Sequence, residues 1–244
     1  MDISFLKNLP VAHRGLHDGA LPENSIGAFR AAIAAGYAVE TDVRLSADHK
    51  LVVFHDDSLL RMTGANLGVY DCTAEELSRL RLAGTQEHIP LFEEFLSEIG
   101  GRTPLLIEIK NVPQVNKKAF IHAVARALEG YDGVFAIQSF VPSYVKLFKK
   151  LRPDVPCGIL GGAGFCKRDL NNSPLWRIKA HVLKNMSLSK NADFISYAFR
   201  DYPNRATEKY KGTKLAWTVR SPEDETYARR YADNIIFENY IPEK

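Results

Sequence analysis

The sequence predicts an α/β protein in which parallel strands are joined by crossover helices. Short runs of aliphatic and β-branched residues alternate with longer segments in which apolar residues recur every three or four positions, a pattern typical of repeated βαβ units. The chain has 244 residues, enough to bury the core of one large barrel or of two small domains. The local pattern fits a closed (β/α)8 barrel and a doubly wound open sheet equally well.

Strands are predicted first, because they determine where a site can form. They occupy residues 10–13, 38–43, 51–54, 105–109, 134–137, 157–160, 194–196, 215–218 and 234–237. We interpret 51–54 as a side strand, which leaves eight strands for a barrel. Few residues follow the last strand, so the final helix of an ideal barrel is expected to be missing or reduced, with the N-terminal segment covering the gap. In the absence of an internal repeat or a linker, one domain over residues 1–244 is predicted.

Helices are predicted between these strands. Apolar residues at helical spacing predict crossover helices over 25–35 and 115–129, and a Ser-Pro-Glu sequence predicts the start of another over 221–231. Residues 57–90 interrupt the repeat with glycines and a short helix start at 73–77. We interpret them as an insertion that lies over the functional site.

Composition and charge exclude several classes of protein. Hydrophobic residues make up 45% and charged residues 25%, and the net charge of +3 is spread along the chain, so no nucleic-acid partner is predicted. Cys72, Cys157 and Cys166 lack a CxxC spacing, and reduced thiols are expected. No run is long enough for a transmembrane segment and residues 1–10 lack the apolar core of a signal peptide, which predicts a cytoplasmic protein.

Carboxylates at predicted strand ends are the first candidates for function, because barrel active sites form at the carboxyl ends of the strands. Glu40 and Asp42 are two residues apart and therefore share one face of a strand, and Glu108 repeats this placement on the next barrel strand. One divalent metal can satisfy several buried carboxylate oxygens, so the three residues are candidate metal ligands. The alternative is a pair of surface salt bridges on an edge strand.

Lysine and histidine residues end the same group of strands. Lys110 shares a face with Glu108, and a lysine beside a metal is repelled unless an anion lies between them, which points to phosphate. A simple ion pair with Glu108 is the alternative. His13 and His55 also end strands, and two imidazoles beside a carboxylate cluster provide a general base and a general acid.

Four further residues are candidates for supporting roles. Arg14 offers a guanidinium for a phosphate oxygen, and Glu23 is expected to hold Arg14 or His13 in place, next to a helix-capping residue at position 24 or 25. Trp217 and Phe140 are predicted to form an apolar wall for a small alcohol, with core packing as the alternative.

The other polar features are assigned structural roles. The glycine-rich run 161–164 is interpreted as a flexible loop, because no helix with phosphate-binding spacing follows it. The remaining histidines lack polar neighbours at strand ends and are assigned to the surface or the core: His17, His49, His88, His122 and His181.

Taken in order, these motifs resemble the glycerophosphodiester phosphodiesterase family along nearly the whole chain. Each motif is common by itself, whereas the ordered series is specific. The series is His13-Arg14-Gly15, Pro22-Glu23-Asn24-Ser25, Glu40-Thr41-Asp42-Val43, His55-Asp56, Arg61-Met62-Thr63-Gly64, Glu108-Ile109-Lys110, Gln138-Ser139-Phe140 and Trp217-Thr218-Val219.

The resemblance implies a TIM (β/α)8 barrel with a small inserted subdomain after the second strand. It implies metal-dependent hydrolysis of small glycerophosphodiesters to sn-glycerol 3-phosphate and an alcohol. It also implies the following roles: one Mg²⁺ or Ca²⁺ ion on Glu40, Asp42 and Glu108, acid and base roles for His13 and His55, and phosphate contacts from Arg14 and Lys110.

Two positions depart from the family pattern. Arg220 stands where the family commonly has Asn after Trp-Thr-Val, and residues 237–242 replace the usual Thr-Asp-Pro ending. Neither change affects the predicted metal ligands or histidines. Arg220 is expected to favour a more anionic headgroup.

Two alternative functions remain at this point. A phospholipase D-like or lysophospholipase D activity would need an apolar approach surface for a lipid. The insertion offers Leu59, Leu60, Met62, Leu67 and Val69 for it, although the packing of the insertion itself would use the same residues. A non-catalytic barrel that binds phosphodiesters is disfavoured, because the predicted metal ligands and both histidines are present.

Overall fold

A ring of parallel strands forms the centre of the molecule. The computed structural model describes residues 3–112, 114–162 and 192–243. The strands are β1 Val11–Ala12, β2 Ala38–Leu45, β3 Leu51–Val53, β4 Leu105–Ile109, β5 Phe135–Ser139, β6 Cys157–Gly161, β7 Phe194–Ala198, β8 Thr213–Val219 and β9 Asn234–Phe237. They pair in the order β1-β9-β8-β7-β6-β5-β4-β2-β3, and an additional β1–β2 pairing closes the ring. The fold is thus a closed barrel of parallel strands, and the open-sheet alternative is wrong.

The antiparallel strand β3 lies outside this ring. It pairs with β2 in antiparallel fashion, with Val43 opposite Val53, whereas the pairings among the described barrel strands are parallel. The predicted side strand is therefore confirmed.

Most helices pack around the barrel, whereas the first lies at its lower end and the third and fourth belong to the insertion. In the described residues they are α1 Phe5–Asn8, α2 Ile26–Ala34, α3 Leu60–Thr63, α4 Ala74–Arg79, α5 Phe92–Ile99, α6 Lys117–Ala127, α7 Pro142–Leu151, α8 Arg205–Lys209 and α9 Pro222–Ala228. Side-chain caps explain where several begin. Ser25, Asn116 and Ser221 accept hydrogen bonds from backbone N–H groups in the first turns of α2, α6 and α9, which satisfies donors that have no partner within the helix.

Alternation along the strands separates two apolar layers. Val39, Leu105 and Phe135 belong to the outer layer beneath the helices, whereas their strand neighbours Ala38 and Leu106 belong to an inner cluster. The inner residues occupy the amino-terminal half of the barrel interior. Polar side chains take the same inner positions further along β2 and β4, which places the site at the carboxyl ends of the strands.

The N-terminal segment closes the bottom of the barrel. Phe5 and Leu6 of α1 join the inner cluster, and Nδ2 of Asn234 donates to the carbonyl of Leu9 at 2.7 Å. The expectation that this segment replaces a missing last helix is therefore wrong. Residues 238–243 follow β9 instead, and Tyr37 Oη donates to the carbonyl of Pro242 at 2.7 Å. The apolar interior needs a cover at its lower end, and α1 provides it.

The insertion has a small core of its own. After β3, the helices α3 and α4 pack over a buried cluster, and Thr73 and Glu76 form a capping box at the start of α4. The cluster includes Leu59, Met62 and Val69, so these three residues pack the insertion and do not line an apolar surface. Only Leu60 and Leu67 of that set are exposed, at 53% and 52%.

Some expectations fall on residues outside the described ranges. Cys166, His181 and the second half of the glycine-rich run 161–164 lie there. Cys72 and Cys157 are buried free thiols, as expected for reduced cysteines. In the described part of the chain, no helix combines the length and the apolar character needed to cross a bilayer.

Candidate active site

Three carboxylates converge inside the upper half of the barrel. Asp42 of β2 is the register partner of Glu108 of β4, and Glu40 precedes Asp42 on the same face. Each offers an oxygen within 4.8 Å of the others, and the three side chains are buried. The alternative of surface salt bridges on an edge strand is wrong, since β2 lies within the ring between β1 and β4. The oxygens are close enough to share one cation.

The electrostatics of these carboxylates differ although the residues are neighbours. Burial and the negative charges of Asp42 and Glu108 raise the pKa of Glu40 well above its usual value. Burial opposes ionisation of Asp42 too, but the positive charges of Lys110, His55 and Arg14 outweigh it and hold the pKa of Asp42 below its usual range. The cluster therefore carries uncompensated repulsion at Glu40.

Hydrogen bonding within the cluster is incomplete. Oε1 of Glu40 and Oδ1 of Asp42 are buried and make no hydrogen bond to the described residues. Buried carboxylate oxygens without partners are costly. A hard divalent cation, which prefers oxygen ligands, would satisfy both of them, so this donor set fits Mg²⁺ or Ca²⁺.

His13 lies between the carboxylate cluster and Glu238. Nε2 is 4.0 Å from Oε2 of Glu40, and Nδ1 is 2.5 Å from Oε2 of Glu238. Burial and then the positive charge of Arg14 lower the pKa of His13 to about 4, against the opposing effect of Glu238. The imidazole is therefore neutral at pH 7.

His55 follows β3 and is oriented by its chain neighbour. Nδ1 of His55 lies 2.6 Å from Oδ1 of Asp56, whose Oδ2 accepts from Nε of Arg61 at 2.6 Å. Burial raises the pKa of Asp56, but the hydrogen bonds from His55 and Arg61 outweigh it and hold the pKa below its usual range. Asp56 therefore remains ionised and fixes the ring of His55.

Arg14 and Glu23 extend this network to the metal-ligand candidates. Nη1 of Arg14 donates to Oε1 of Glu23 at 2.7 Å, and Nε of Arg14 lies 3.4 Å from Oδ2 of Asp42. Glu23 also accepts from Nη1 and Nη2 of Arg61 at 2.8 and 2.7 Å. The sequence left open whether Glu23 holds Arg14 or His13, and the contact is with Arg14.

The backbone of the turn after β1 is hydrogen-bonded to Glu40. Arg14 has a φ of 56°, and its N–H donates to Oε2 of Glu40 at 3.0 Å. Gly15 follows with a φ of 82°, and a Cβ there would lie 2.8 Å from the carbonyl carbon of Ala28. The close approach of this turn to α2 requires glycine.

Asn24 and Ser25 have different roles, although the sequence left open which of them caps the helix. Ser25 caps α2, whereas Nδ2 of Asn24 donates to Oδ2 of Asp42 at 2.9 Å. Oγ1 of Thr41 donates to Oδ1 of Asn24 at 3.1 Å. Asn24 therefore supports a metal-ligand candidate directly and is not the helix cap.

Lys110 and the aromatic pair Phe140 and Trp217 complete the group of candidate site residues. Nζ of Lys110 lies 2.7 Å from Oε1 of Glu108 and 3.4 Å from Oδ1 of Asp42. Burial lowers the pKa of Lys110, but these two carboxylates raise it above its usual value, so the ammonium keeps its charge. Phe140 and Trp217 meet edge to face at 5.5 Å between ring centroids, and Nε1 of Trp217 donates to the carbonyl of Ser196 at 3.1 Å.

One cavity of about 300 Å³ collects these groups. It has the size of a site for a small ligand. Of the residues singled out in the sequence, it is lined by His13, Arg14, Glu40, His55, Glu108, Lys110, Phe140, Trp217 and Arg220. Asp42 belongs to the carboxylate cluster beside it, and Glu23 contacts Arg14.

Glu238 and Gln138 are polar residues of the site to which the sequence assigned no role, although Gln138 belongs to one of the family motifs. Glu238 contacts His13, and Gln138 lines the cavity and accepts from Oγ of Ser196 at 2.7 Å. Gln138 lies in β5 near its carboxyl end, and Glu238 comes directly after β9. Both residues lie at carboxyl ends of strands, which is the same sequence signal that made Glu40 and His13 candidates.

Comparison with known proteins agrees with this geometry. The sequence profile of the Glycerophosphoryl diester phosphodiesterase family matches residues 13–241. The chain belongs to this family. The corresponding enzyme class is glycerophosphodiester phosphodiesterase, a phosphoric diester hydrolase.

Relatives in several organisms match half of this chain or more. YhdW of Bacillus subtilis is 32% identical over 184 residues, covering 71% of this chain and 74% of that protein. A glycerophosphodiester phosphodiesterase of Caldanaerobacter subterraneus is 33% identical over 175 residues, covering 65% and 69%. Lysophospholipase D GDPD1 of Rattus norvegicus is 32% identical over 134 residues, covering 50% and 41%.

Solved structures share the fold. A phosphodiesterase of Oleispira antarctica, in complex with the product sn-glycerol-3-phosphate, has a TM-score of 0.77 at 24% identity, with 95% of this chain and 94% of that chain covered. A glycerophosphodiester phosphodiesterase of Thermotoga maritima has a TM-score of 0.69 at 26% identity, with 94% of each chain covered. The TIM-barrel architecture implied by the sequence motifs is therefore confirmed.

Proposed function

We propose that this protein hydrolyses glycerophosphodiesters to sn-glycerol 3-phosphate and an alcohol, with one divalent metal ion and two histidines. The observation that carries the proposal is the convergence of the carboxylate cluster, both imidazoles, Arg14 and Lys110 on one cavity. A phosphodiester needs positive charge at phosphorus and two positions for proton transfer, and this cavity offers both.

Glu40, Asp42 and Glu108 are the proposed ligands of Mg²⁺ or Ca²⁺. Their three buried oxygens within 4.8 Å, the unpartnered Oε1 of Glu40 and the raised pKa of that carboxyl support the assignment. When bound, the ion supplies positive charge that stabilises the negative charge developing on the phosphoryl oxygens.

His13 and His55 are the proposed acid and base. One imidazole accepts the proton of the attacking hydroxyl, from water or from the 2-hydroxyl of glycerol, as the new P–O bond forms. The other donates a proton to the oxygen of the departing alcohol as the old P–O bond breaks. Attack by the 2-hydroxyl gives a cyclic phosphate, and water must then attack phosphorus and break the P–O2 bond, with that oxygen taking up a proton, to yield sn-glycerol 3-phosphate. Separate carboxylates hold the two rings, Glu238 for His13 and Asp56 for His55, which supports distinct roles for them.

Arg14 and Lys110 are the proposed phosphate contacts, and Trp217 and Phe140 the proposed wall for the alcohol or glycerol carbons. Lys110 keeps its charge beside Glu108 and Asp42, as a group that faces a bound anion must. Glu23 is proposed to support Arg14 through the 2.7 Å ion pair. The edge-to-face rings offer an apolar surface for these carbons.

The test is an assay of the purified protein with Mg²⁺ or Ca²⁺ on glycerophosphocholine and glycerophosphoethanolamine. Release of sn-glycerol 3-phosphate is expected, with loss on addition of EDTA and a reduction of about 10²- to 10⁴-fold in His13→Ala, the usual contribution of an acid or base. His122→Ala, at an exposed position of α6, is the matched control and should retain full activity. Equal rates for His13→Ala and the control would refute the mechanism.

Lysophospholipase D activity is a second candidate. The exposed Leu60 and Leu67 of the insertion, and the similarity to lysophospholipase D GDPD1 over half of the chain, favour it. The backbone N–H of Leu59 donates to the carbonyl of Leu67. The exposed residue Leu60 therefore follows, in the chain, a residue that is hydrogen-bonded to the exposed residue Leu67. Lysophosphatidylcholine in the same assay distinguishes the two activities: Leu60→Ser/Leu67→Ser should lower the rate on the lysolipid alone if it is a substrate.

We also propose that residues 1–244 form one barrel domain, with an insertion over about 57–90. The family match over 13–241 and the pairing of β1 with both β2 and β9 support this. Strands from both ends of the chain are needed to close the same barrel.

A further inference from the structure

Glu238 connects two side chains of the cavity wall. Oε2 of Glu238 lies 2.5 Å from Nδ1 of His13, and its Oε1 accepts from Nε of Arg220 at 2.6 Å. His17 is also near, with Nε2 at 3.7 Å from Oε2, which is beyond hydrogen-bond distance. Each carboxylate oxygen of Glu238 therefore has one hydrogen-bond partner on the cavity wall.

The backbone holds this contact in place. The N–H of His13 donates to the carbonyl of Phe237 at 2.9 Å, and the N–H of Glu238 donates to the carbonyl of Val219 at 3.0 Å. These bonds belong to the junctions of β1 with β9 and of β8 with β9. The side chains of His13 and Glu238 are 13% and 11% exposed, so little water competes for the bond between them.

The chemistry of the pair determines which imidazole nitrogen faces the cavity. Burial raises the pKa of Glu238, but the hydrogen bond from His13 and the charge of Arg220 hold it below its usual range. An ionised carboxylate only accepts hydrogen bonds, so Nδ1 of His13 carries the proton. Nε2 then has a free lone pair and points towards Glu40, 4.0 Å away.

Arg220 and the segment 237–242, which contains Glu238, are also the two places where the sequence departs from the family pattern. In the structure Arg220 and Glu238 are bound to each other. Arg220 is 51% exposed, so its contact with Glu238 orients the carboxylate more than it stabilises the fold. The two departures therefore act on one contact with His13.

We propose that Glu238 is the positioning residue of His13 and that Arg220 holds the Glu238 carboxylate in the orientation that meets Nδ1. The inference rests on the proposed acid or base role of His13. It assigns Nε2 as the nitrogen that exchanges the proton with the substrate or water. Glu238 itself does not touch the reacting atoms.

The first test compares steady-state kinetics of Glu238→Gln and Arg220→Met on glycerophosphocholine. An amide has one acceptor oxygen and an NH2 group that only donates, whereas His13 and Arg220 contact different oxygens of Glu238, so Gln cannot accept from both in this geometry. We expect kcat to fall about 10- to 100-fold in Glu238→Gln, less in Arg220→Met, with KM within about 3-fold, since positioning of a proton donor or acceptor affects the transition state. Glu225→Gln and Arg229→Met, from a similar Glu–Arg pair on α9 and after it, should match the wild type.

The double variant tests whether the two residues act through one contact. Arg220→Met/Glu238→Gln should lose no more activity than Glu238→Gln alone, because Arg220 works only through that carboxylate. Additive losses would overturn the proposal. So would an increase in KM with unchanged kcat, since that result assigns both residues to the binding of the substrate headgroup.

The second test is independent of activity. In the wild type and in His55→Ala, ¹⁵N-labelled imidazole NMR should show a protonated Nδ1 resonance that is absent in His13→Ala and shifted or lost in Glu238→Gln. If the protein proves inactive on glycerophosphodiesters but this resonance behaves as expected, the proposed function fails and the contact stands. An unchanged resonance in Glu238→Gln refutes the positioning role. Arg220→Met carries the same spectral test if Glu238→Gln does not fold.

Discussion

Individual residues of this site owe their properties to neighbours far away in the sequence. Glu40 and Asp42 are two positions apart on one strand, yet the pKa of Glu40 is raised and that of Asp42 is lowered. Lys110 and Arg14 lie close to Asp42, whereas Glu40 faces mainly other carboxylates. Chemical identity therefore sets what a residue can do, and the positions of charges around it set its protonation.

Glu23 provides a pH-dependent test at this scale. Burial raises its pKa, but hydrogen bonds from Arg61 and the charge of Arg14 hold it below its usual range. A carboxyl with a lowered folded pKa stabilises the fold above its unfolded pKa of about 4.3, and this contribution is lost as the pH falls through the folded value. We expect Glu23→Gln to lower the free energy of unfolding by about 1.5–3 kcal/mol at pH 6.

The decisive measurement is how the difference in free energy of unfolding between the wild type and Glu23→Gln changes with pH. Urea unfolding of both proteins between pH 6 and pH 3 should show the gap narrowing as the pH falls, because Gln does not titrate. A gap that is constant over this range would show that Glu23 acts through packing and not through its charge.

At the scale of elements, His13 and His55 are positioned by different parts of the fold. His13 follows β1 and depends on strand pairing, whereas His55 follows β3 at the start of the insertion. Asp56 and Arg61, which orient His55, belong to the same segment, and its core is the cluster around Leu59 and Leu77. The integrity of this small core therefore determines the placement of His55.

Substitutions at Leu59 and at Leu60 test the importance of the core of the insertion. Leu59 is fully buried in the core of the insertion and Leu60 is 53% exposed. Leu59→Ala should destabilise the protein by about 2–5 kcal/mol through loss of apolar burial and a cavity, whereas Leu60→Ala should stay within about 0.5 kcal/mol of the wild type. Thermal unfolding and hydrogen exchange of residues 57–90 would measure both, and equal effects would contradict the described packing.

At the scale of the whole molecule, barrel closure brings together residues from positions 13 to 238. The β1–β2 and β1–β9 pairings complete the ring, and the carboxylate cluster lies within it. Stacking buried carboxylates in one place costs free energy unless a cation joins them. The molecule as a whole is therefore expected to be more stable with a divalent ion than without one.

This expectation can be measured without any substrate. A ligand that binds only the folded state at 100 times its dissociation constant adds about 2.7 kcal/mol of stability. Mg²⁺ or Ca²⁺ should therefore raise the melting temperature of the EDTA-treated protein, and Asp42→Asn should abolish the shift. Asp132→Asn, at an exposed position, should retain it, and a shift of equal size in both variants would indicate nonspecific ion binding.

The sequence alone predicted much of the barrel and of its site. Alternation along 38–43 and 105–109 placed Glu40, Asp42 and Glu108 on the interior, because residues two apart on a strand share a face. Strand ends identified His13, His55 and Lys110, since barrel sites form at the carboxyl ends. These are local properties of strands, and a sequence records them directly.

Other features were decided only by the tertiary structure. Whether Leu59 is buried or exposed, and whether Asn24 caps a helix or supports Asp42, both depend on contacts between distant segments. The bond between Glu238 and His13 joins the first strand to the end of the last. Such a contact arises from the curvature and register of the whole barrel, which no local pattern of residues specifies.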